Sequence, residues 1–324
     1  MSNLLDKASI ILTPTASNTS EVLCVKPSDG TGDFDFSRAT EATRINSLGL
    51  VETIGINLPR INYEGGCGSW LWEPQSTNLY LNSETLSTQT ITTTANQYSV
   101  SFYGTGTITF SGTYTGSLIG TGLNDRVTAT FTATSGTLTS TISGTVTKAQ
   151  IEQLSYTTSY IPTSGSTVTR NQDLCTNGGS LASINSTEGT LYFEGEALFS
   201  GSNAQISLSD GTNDNGVKFR FDLSANRFTC FIRGNGGSTA AKTVISSPQT
   251  DNNKIALVWN ATNLKIWING VEAGTTATND LPIGLDTINF SSNTGVLPFF
   301  GKTKALAVWK EALSDAELTA LTTI

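Results

Sequence analysis

The sequence predicts an all-β protein in which an irregular N-terminal segment precedes two antiparallel β-sandwiches of jelly-roll or Greek-key type. Charged residues make up only 14% of the 324 residues, and 31 residues are glycine. Apolar side chains alternate with Ser and Thr over many short stretches, which is the period of half-buried strands. The Ala, Glu, Lys and Leu enrichment typical of helical proteins is missing.

The N-terminal segment is predicted to cover residues 1–90. Prolines at positions 14, 27, 59 and 74 interrupt its short extended stretches, and Ser28–Asp33 is a cluster of turn-forming residues. Trp70 and Trp72 are separated by one residue, so their side chains point the same way along a strand. We expect this pair to pack the segment against a sandwich.

The first sandwich is predicted at 91–173. Its strands show strict alternation, for example Tyr98, Val100 and Phe102 on one face, and glycines follow at the spacing of turns. The Asn-, Gly- and Ser-rich stretch 171–187 is predicted to be a linker.

The second sandwich is predicted at 186–324. Ile255, Leu257 and Trp259 form one apolar row of this part. Asn269-Gly270 is a strong signal for a two-residue hairpin turn. Near the end of the chain, Ser314 followed by Glu317 predicts the capping box of a short helix.

The composition argues against several classes of function. The net charge is −8, whereas nucleic-acid phosphates require a basic surface. The chain contains no histidine, which removes Ser-His-Asp triads and nearly every catalytic zinc site. We therefore expect no enzyme, no cofactor and no nucleic-acid partner. The sequence has no run of about 18 apolar residues, so no membrane insertion is predicted. No signal peptide is visible.

The four cysteines are far apart in the sequence and form no Cys-x-x-Cys motif: Cys24, Cys67, Cys175 and Cys230. Free, mostly buried thiols are the expected state. A disulfide between Cys24 and Cys67 is the alternative, since sequence alone does not establish which cysteines pair.

Alternation in the second sandwich also indicates a candidate ligand face. Side chains around Tyr192, Arg220 and Trp267 point away from the apolar rows, and neighbouring strands would place an aromatic ring beside charged groups. Sugars bind in this way, with CH faces on aromatic rings and hydroxyls on polar groups. Trp267 is the leading candidate. The predicted glycan-binding residues are Trp267, Tyr192, Arg220, Asn269, Asp210 and Asn213.

Two further interpretations concern acidic residues. Asp210–Gly216 has the composition of a calcium loop, with Asp210 and Asp214 as candidate ligands, but it lacks the bidentate Glu of an EF-hand. A plain hairpin turn without metal is the preferred interpretation. Glu194 and Glu196 could form the carboxylate pair of a glycoside hydrolase, but a solvated strand face is the preferred interpretation.

Two groups of motifs resemble known families. The first group comprises Phe36–Thr40, Ala42–Arg44, Gly49–Glu52, Leu58–Tyr63, Glu73–Leu79, Ala149–Gln153, Thr158–Gly165 and Thr167–Arg170. It resembles the lectin-like modules of tailed-bacteriophage virion proteins, such as tail appendages, head fibres and capsid decorations. The second group comprises Lys254–Asn260, Leu264–Val271 and Trp309–Leu318. It resembles the concanavalin A-type, laminin-G-like sandwich.

The resemblance implies a non-enzymatic virion protein, assembled in the host cytoplasm and exposed on the particle surface. Residues 1–90 would serve attachment or assembly among capsid or tail proteins. The first sandwich would be similar to carbohydrate-binding modules, and the lectin-like domains would adhere to bacterial surface polysaccharide. A homo-oligomer, with a trimer favoured, would turn weak single sites into durable adhesion. The alternatives are a structural decoration protein that binds no sugar and a glycan depolymerase.

Overall fold

The computed structural model describes residues 2–15 and 19–324, and most of its regular structure is β-strand. The N-terminal segment contains α1 (Ser2–Lys7), β1 (Ile10–Leu12), β2 (Glu21–Val22), β3 (Phe34–Ser37), β4 (Ala42–Ile45), β5 (Val51–Ile54), β6 (Ile61–Asn62), β7 (Ser69–Trp72) and β8 (Ser76–Asn78). These strands are short because prolines and turn residues interrupt the ladders.

The first sandwich packs two antiparallel sheets face to face. Its strands are β9 (Gln89–Thr93), β10 (Asn96–Gly104), β11 (Thr107–Gly112), β12 (Gly116–Ile119), β13 (Gly122–Ala133), β14 (Gly136–Ser143) and β15 (Thr147–Glu152). One sheet has the order β13-β10-β15 and the other β12-β11-β14-β9. Tyr98, Val100 and Phe102 share the inner face of β10 and pack with Ile108 and Phe110 in the core, as a period of two requires.

The connection between the sandwiches is ordered, so the predicted linker at 171–187 is wrong. β17 (Leu174–Thr176) lies within this stretch, and β16 (Val168–Arg170) directly precedes it. β16 pairs with β8, and β17 pairs with β3. The polar part of the stretch is also bonded to the fold, because the backbone N–H groups of Gly178 and Gly179 donate to the carbonyls of Ile288 and Gly32.

The second sandwich holds the larger core. Its elements are β18 (Gly189–Ala197), β19 (Gln205–Ser209), β20 (Gly216–Phe221), β21 (Arg227–Arg233), β22 (Ala240–Ile245), β23 (Asn253–Trp259), β24 (Asn263–Ile268), β25 (Val271–Ala277), β26 (Thr287–Asn289), β27 (Gly301–Trp309) and α2 (Asp315–Thr322). One sheet runs β25-β24-β23-β18-β27-β7-β6, and the other runs β22-β21-β20-β19-β26. The predicted all-β class with two sandwiches is confirmed.

The N-terminal segment completes the second sandwich and is not a separate domain, which corrects the predicted boundary at residue 90. Both β1 and β7 pair with β27, through Ile10 opposite Val308 and Trp72 opposite Gly301. Trp70 and Trp72 are stacked with ring centroids 5.9 Å apart and belong to the same buried cluster as the second sandwich. Because β18 pairs with only one side of β27, the other side would be an exposed sheet edge without these strands.

Five fully buried charged side chains tie the segment to the connection. The two carboxylate oxygens of Asp173 pair separately with Arg38 at 2.9 Å and with Arg60 at 2.5 Å. Glu73 pairs with Arg60 at 2.8 Å and with Arg170 at 2.9 Å. Burial alone would raise the pKa of Glu73, but the two guanidinium groups lower it to about 2. We call these five residues the buried ion network.

Four of the five network residues lie within the sequence motifs described above. These four residues, each with the motif that contains it, are Arg38 in Phe36–Thr40, Arg60 in Leu58–Tyr63, Glu73 in Glu73–Leu79 and Arg170 in Thr167–Arg170. Asp173 lies three residues beyond the last motif. The motifs are distant in sequence but meet at one point of the fold, because each charge requires a partner once it is removed from water.

The outer face of the larger sheet is covered by the two helices. A second buried cluster contains Leu4 and Ala8 from the N terminus and Leu313 and Leu318 from the C-terminal end. The indole Nε1 of Trp309 donates to the Leu4 carbonyl at 2.8 Å. The predicted capping box of α2 is present. No helix in the described part of the chain is long and apolar enough to cross a membrane.

All four cysteines are free, so the alternative of a Cys24–Cys67 disulfide is not realised. Cys24, Cys175 and Cys230 are buried and Cys67 is exposed. Burial raises the pKa of Cys24 to about 12, which makes its thiol a packing group and not a nucleophile.

Candidate functional site

The predicted aromatic face exists but is covered. Tyr192 and Trp267 both lie opposite Ala256, on the two strands that flank β23. Each is only 6% exposed, because both pack in the cluster beneath α1 and α2. The prediction that Trp267 and Tyr192 form an exposed aromatic surface is therefore wrong. Alternation identified which way these rings point, but it carries no information on what covers them.

Arg220 and Asn269 do not join that face either. Arg220 lies on β20, in the opposite sheet. Asn269 adopts a positive φ of 52° in the hairpin turn, and its amide Nδ2 donates to Ser247 Oγ and Asn253 Oδ1. Its carbonyl Oδ1 accepts from the backbone of Lys254. Both polar atoms of the Asn269 side chain are therefore bonded within the fold, to residues that precede the turn in the sequence.

The loop between β19 and β20 is held by its own side chains. Asp210 accepts from the backbone and hydroxyl of Thr212 and from the Asn215 amide. Asp214 lies 3.9 Å from Arg233. Within residues 2–15 and 19–324, no group of three or more Asp, Glu, His or Cys side chains could hold a metal ion. The loop has the internal bonds of the predicted hairpin turn, and calcium binding stays untested.

A different surface brings cationic, amide and aromatic side chains together, on the outer face of the smaller sheet. The cavity there measures about 490 Å³, within the range of about 300–1,000 Å³ typical of small-molecule sites. It is lined by side chains from β19, β20, β21 and the loop after β26. We call it the basic groove and define it by Gln205, Lys218, Arg220, Phe231, Arg233 and Asn293.

The pairing of β20 with β21 builds the groove. Lys218 is directly opposite Phe231, and Arg220 is opposite Thr229. The Lys218 ammonium lies 5.8 Å and the Arg220 guanidinium 4.9 Å from the centroid of the Phe231 ring. Arg233 donates to the carbonyls of residues 213, 236 and 237. These contacts orient two cations around an aromatic ring and hold the third at the rim.

Three buried polar atoms of the groove have no hydrogen-bond partner. They are Gln205 Oε1, Arg220 Nε and Asn293 Oδ1. Gln205 and Asn293 are each only 5% exposed. An unsatisfied buried polar atom costs about 1–3 kcal/mol, so such atoms are rare unless water or a ligand satisfies them. A ligand in the groove could donate to the two acceptors and accept from the Arg220 Nε–H.

The groove carries an excess of positive charge. Arg220 has a partner in Asp222 at 3.3 Å, and Arg233 has a distant one in Asp214. Among the described residues, no carboxylate forms an ion pair with Lys218. Burial lowers the pKa of the Lys218 ammonium, and the charges of Arg220 and Arg233 lower it further. A bound anion would relieve this repulsion.

Sequence reasoning found only part of the groove. Arg220 and Asn213 were predicted and do line it, whereas Gln205, Phe231, Arg233 and Asn293 were missed. The signal available in the sequence was the pairing of Lys-x-Arg on one strand with Phe-x-Arg on the next. Asn293 had no such signal, because a loop brings it to the sheet.

One family comparison concerns the second sandwich. Residues 180–319 match the model described as the concanavalin A-like lectin/glucanases superfamily. The laminin-G-like, concanavalin A-type prediction for this part is confirmed. The basic groove lies wholly within this lectin-like domain. No curated protein sequence matches the chain.

Three solved structures resemble the chain weakly. The CBM40 of a Ruminococcus gnavus IT-sialidase bound to alpha2,3 sialyllactose is 20% identical, with a TM-score of 0.38 over 45% of this chain and 91% of that one. A leech intramolecular trans-sialidase is 17% identical, with a TM-score of 0.38 over 46% and 26%. The NanB sialidase from Streptococcus pneumoniae is 18% identical, with a TM-score of 0.37 over 44% and 25%.

Proposed function

We propose that this chain is a glycan-adhesion protein and that its basic groove binds an acidic saccharide. The observation that carries the proposal is the set of unpartnered polar atoms beside the uncompensated Lys218. A carboxylate-bearing sugar supplies what these groups lack. Its negative charge would meet Lys218, and its hydroxyls would satisfy Gln205 and Asn293.

Phe231 supplies the aromatic surface on which a sugar can stack in the groove. The ring is half-buried on the outer face of β21 and lines the cavity. Sugar CH groups stack on such rings, while flanking cations bind the carboxylate. The groove is partly open to solvent, so its ion pairs would weaken as salt increases.

The first test removes one charge at the groove. We expect Lys218→Ala to weaken binding of oligogalacturonate roughly 10- to 100-fold, because a hydrogen bond to a charged group contributes about 1.5–3 kcal/mol. Isothermal titration of the full chain measures the change. EDTA should leave the affinity unchanged, since cations and not carboxylates dominate the groove.

Lys304→Ala is the matched control, because it removes one positive charge from the opposite sheet. The methyl-esterified oligomer serves as the neutral ligand and should not bind. Equal affinity of the Lys218→Ala and Lys304→Ala variants would rule out the groove. A glycan array without any signal would instead favour a purely structural decoration protein.

The biological setting we propose is the surface of a tailed-bacteriophage particle, as a head fibre, decoration or tail appendage. The support is the ordered motif series, most of whose charged residues meet in the buried ion network. We propose that the chain acts without catalysis and as a homo-oligomer, with a trimer favoured. Repetition would compensate for weak single sites.

The particle assignment is tested on purified virions. We expect peptides of this chain in their mass spectrum, and antibody labelling at one defined part of the particle in electron micrographs. Chain found only in the soluble fraction of infected cells would contradict the assignment. Neither outcome depends on whether the groove binds sugar, so the two proposals are tested separately.

A further inference from the structure

A second cavity lies where the N-terminal segment, the first sandwich and the second sandwich meet. It measures about 190 Å³ and is lined from all three parts. We call it the junction cleft. The lining residues that matter for its chemistry are Arg44, Glu64, Tyr103, Arg126, Glu196 and Lys302. It is separate from the basic groove and shares no lining residue with it.

The buried ion network holds one wall of the junction cleft in place. Ser159 lines the cleft and donates its backbone N–H and its hydroxyl to the two oxygens of Glu73, both at 2.6 Å. Glu73 is itself fixed by Arg60 and Arg170. This wall is therefore rigid before any ligand arrives, which lowers the entropic cost of binding.

Most of the charges around the cleft are paired. Lys302 lies between Glu64 at 3.3 Å and Glu196 at 3.1 Å. Burial alone would lower the pKa of Lys302, but the two carboxylates raise it. Arg44 pairs with Glu52 at 2.9 Å. No described carboxylate pairs with Arg126, but over the whole lining the cations and carboxylates are equal in number, so the cleft has no excess sign that would select an ion, unlike the basic groove. The cations are Arg44, Arg126 and Lys302, and the carboxylates are Glu64, Glu73 and Glu196.

The cleft nevertheless retains free hydrogen-bonding capacity. Arg126 uses Nη2 to donate to Ser101 Oγ at 2.8 Å and to the Thr158 carbonyl at 2.6 Å. Its Nε is buried and has no partner. The Tyr103 hydroxyl makes no hydrogen bond to any described residue, and its ring forms part of the wall. Burial raises the pKa of Tyr103, so the hydroxyl is a donor at neutral pH.

We propose that the junction cleft binds an uncharged polyhydroxylated ligand of the size of one neutral sugar ring. Its volume lies below the range of about 300–1,000 Å³ of drug-sized sites, which limits the ligand to a single small unit. The carboxylates accept hydrogen bonds from sugar hydroxyls, and the cations donate hydrogen bonds to them. Tyr103 offers an aromatic surface. The site is independent of the proposed acidic-saccharide function of the groove.

The test uses saturation-transfer NMR on the full chain with D-glucose, D-galactose, D-mannose and N-acetyl-D-glucosamine. We expect transfer to at least one of them. Thr250 is exposed and lines the cleft, so Thr250→Trp should fill the cavity without disturbing the core and abolish the transfer. Tyr103→Phe should weaken binding roughly two- to tenfold, the range for one lost hydrogen bond.

Two controls make the result specific. Thr141→Trp places the same bulk at an exposed threonine of β14, away from the cleft, and should leave transfer unchanged. Lys218→Ala disables the basic groove and should also leave it unchanged. Absence of transfer to all four sugars, or transfer that survives Thr250→Trp, would overturn the proposal. If Lys218→Ala loses oligogalacturonate binding but keeps the transfer to neutral sugars, the result bears on the basic groove and not on the junction cleft.

Discussion

Asp173→Asn is expected to lower the free energy of unfolding by about 3–5 kcal/mol, the usual cost of removing one partner from a buried ion pair. Asp173 is the partner of both Arg38 and Arg60, and all three side chains are fully buried. Its removal leaves Arg38 without a carboxylate partner among the described residues. Guanidinium denaturation followed by circular dichroism measures the change.

The matched control for this experiment is Asp251→Asn. Asp251 is exposed and its carboxylate makes no described contact, so its stability change should stay within about 0.5 kcal/mol. A similar small change for Asp173→Asn would mean that water reaches the network and screens its charges. The network would then not be what joins the N-terminal segment to the connection.

Trp72→Ala is expected to destabilise the protein by about 3–5 kcal/mol, as large aromatic truncations in cores do. Trp72 packs on Trp70, Phe36 and Phe290, with ring centroids 5.4–5.9 Å away. Its indole Nε1 donates to Thr303 Oγ1 at 3.1 Å. Since Phe290 and Thr303 belong to the second sandwich, the loss should appear in the unfolding of that sandwich.

This prediction tests whether the N-terminal segment belongs to the lectin-like domain. Urea unfolding with hydrogen exchange on β18, β23 and β27 reports on the second sandwich directly. Leu223→Ala is the control, since Leu223 is a large side chain of the same sandwich that is 71% exposed. Unchanged protection of β27 in Trp72→Ala would show that the two parts are independent, as the residue-90 boundary assumed.

The two proposed binding sites should respond differently to salt and should stabilise different parts of the chain. The basic groove carries uncompensated charge, so its affinity should depend on salt, whereas the junction cleft is balanced and should not. The groove lies on the outer sheet face of one sandwich, and the cleft lies between all three parts. Occupation of the cleft would therefore stabilise the whole chain, while occupation of the groove would stabilise the lectin-like domain.

Local features were determined by the sequence alone. Alternation along β10 and β23 placed the core residues, because a strand sends successive side chains to opposite faces. The Asn269-Gly270 turn has the two positive φ angles, 52° and 90°, that this dipeptide favours. Ser314 and Glu317 form the predicted capping box. Each of these depends on residues a few positions apart.

Long-range arrangements were decided only by the tertiary structure. Trp267 was placed correctly on the outer face of its strand, but the helices from both ends of the chain bury it. Arg220 lies in the other sheet, where it meets Phe231. Asp173, within a stretch that had the composition of a linker, completes the buried ion network. Alternation specifies the face of the strand on which a side chain lies. What covers that face is specified by the strand order and by the position of the chain ends. Strand order and chain-end position depend on packing between residues that are hundreds of positions apart.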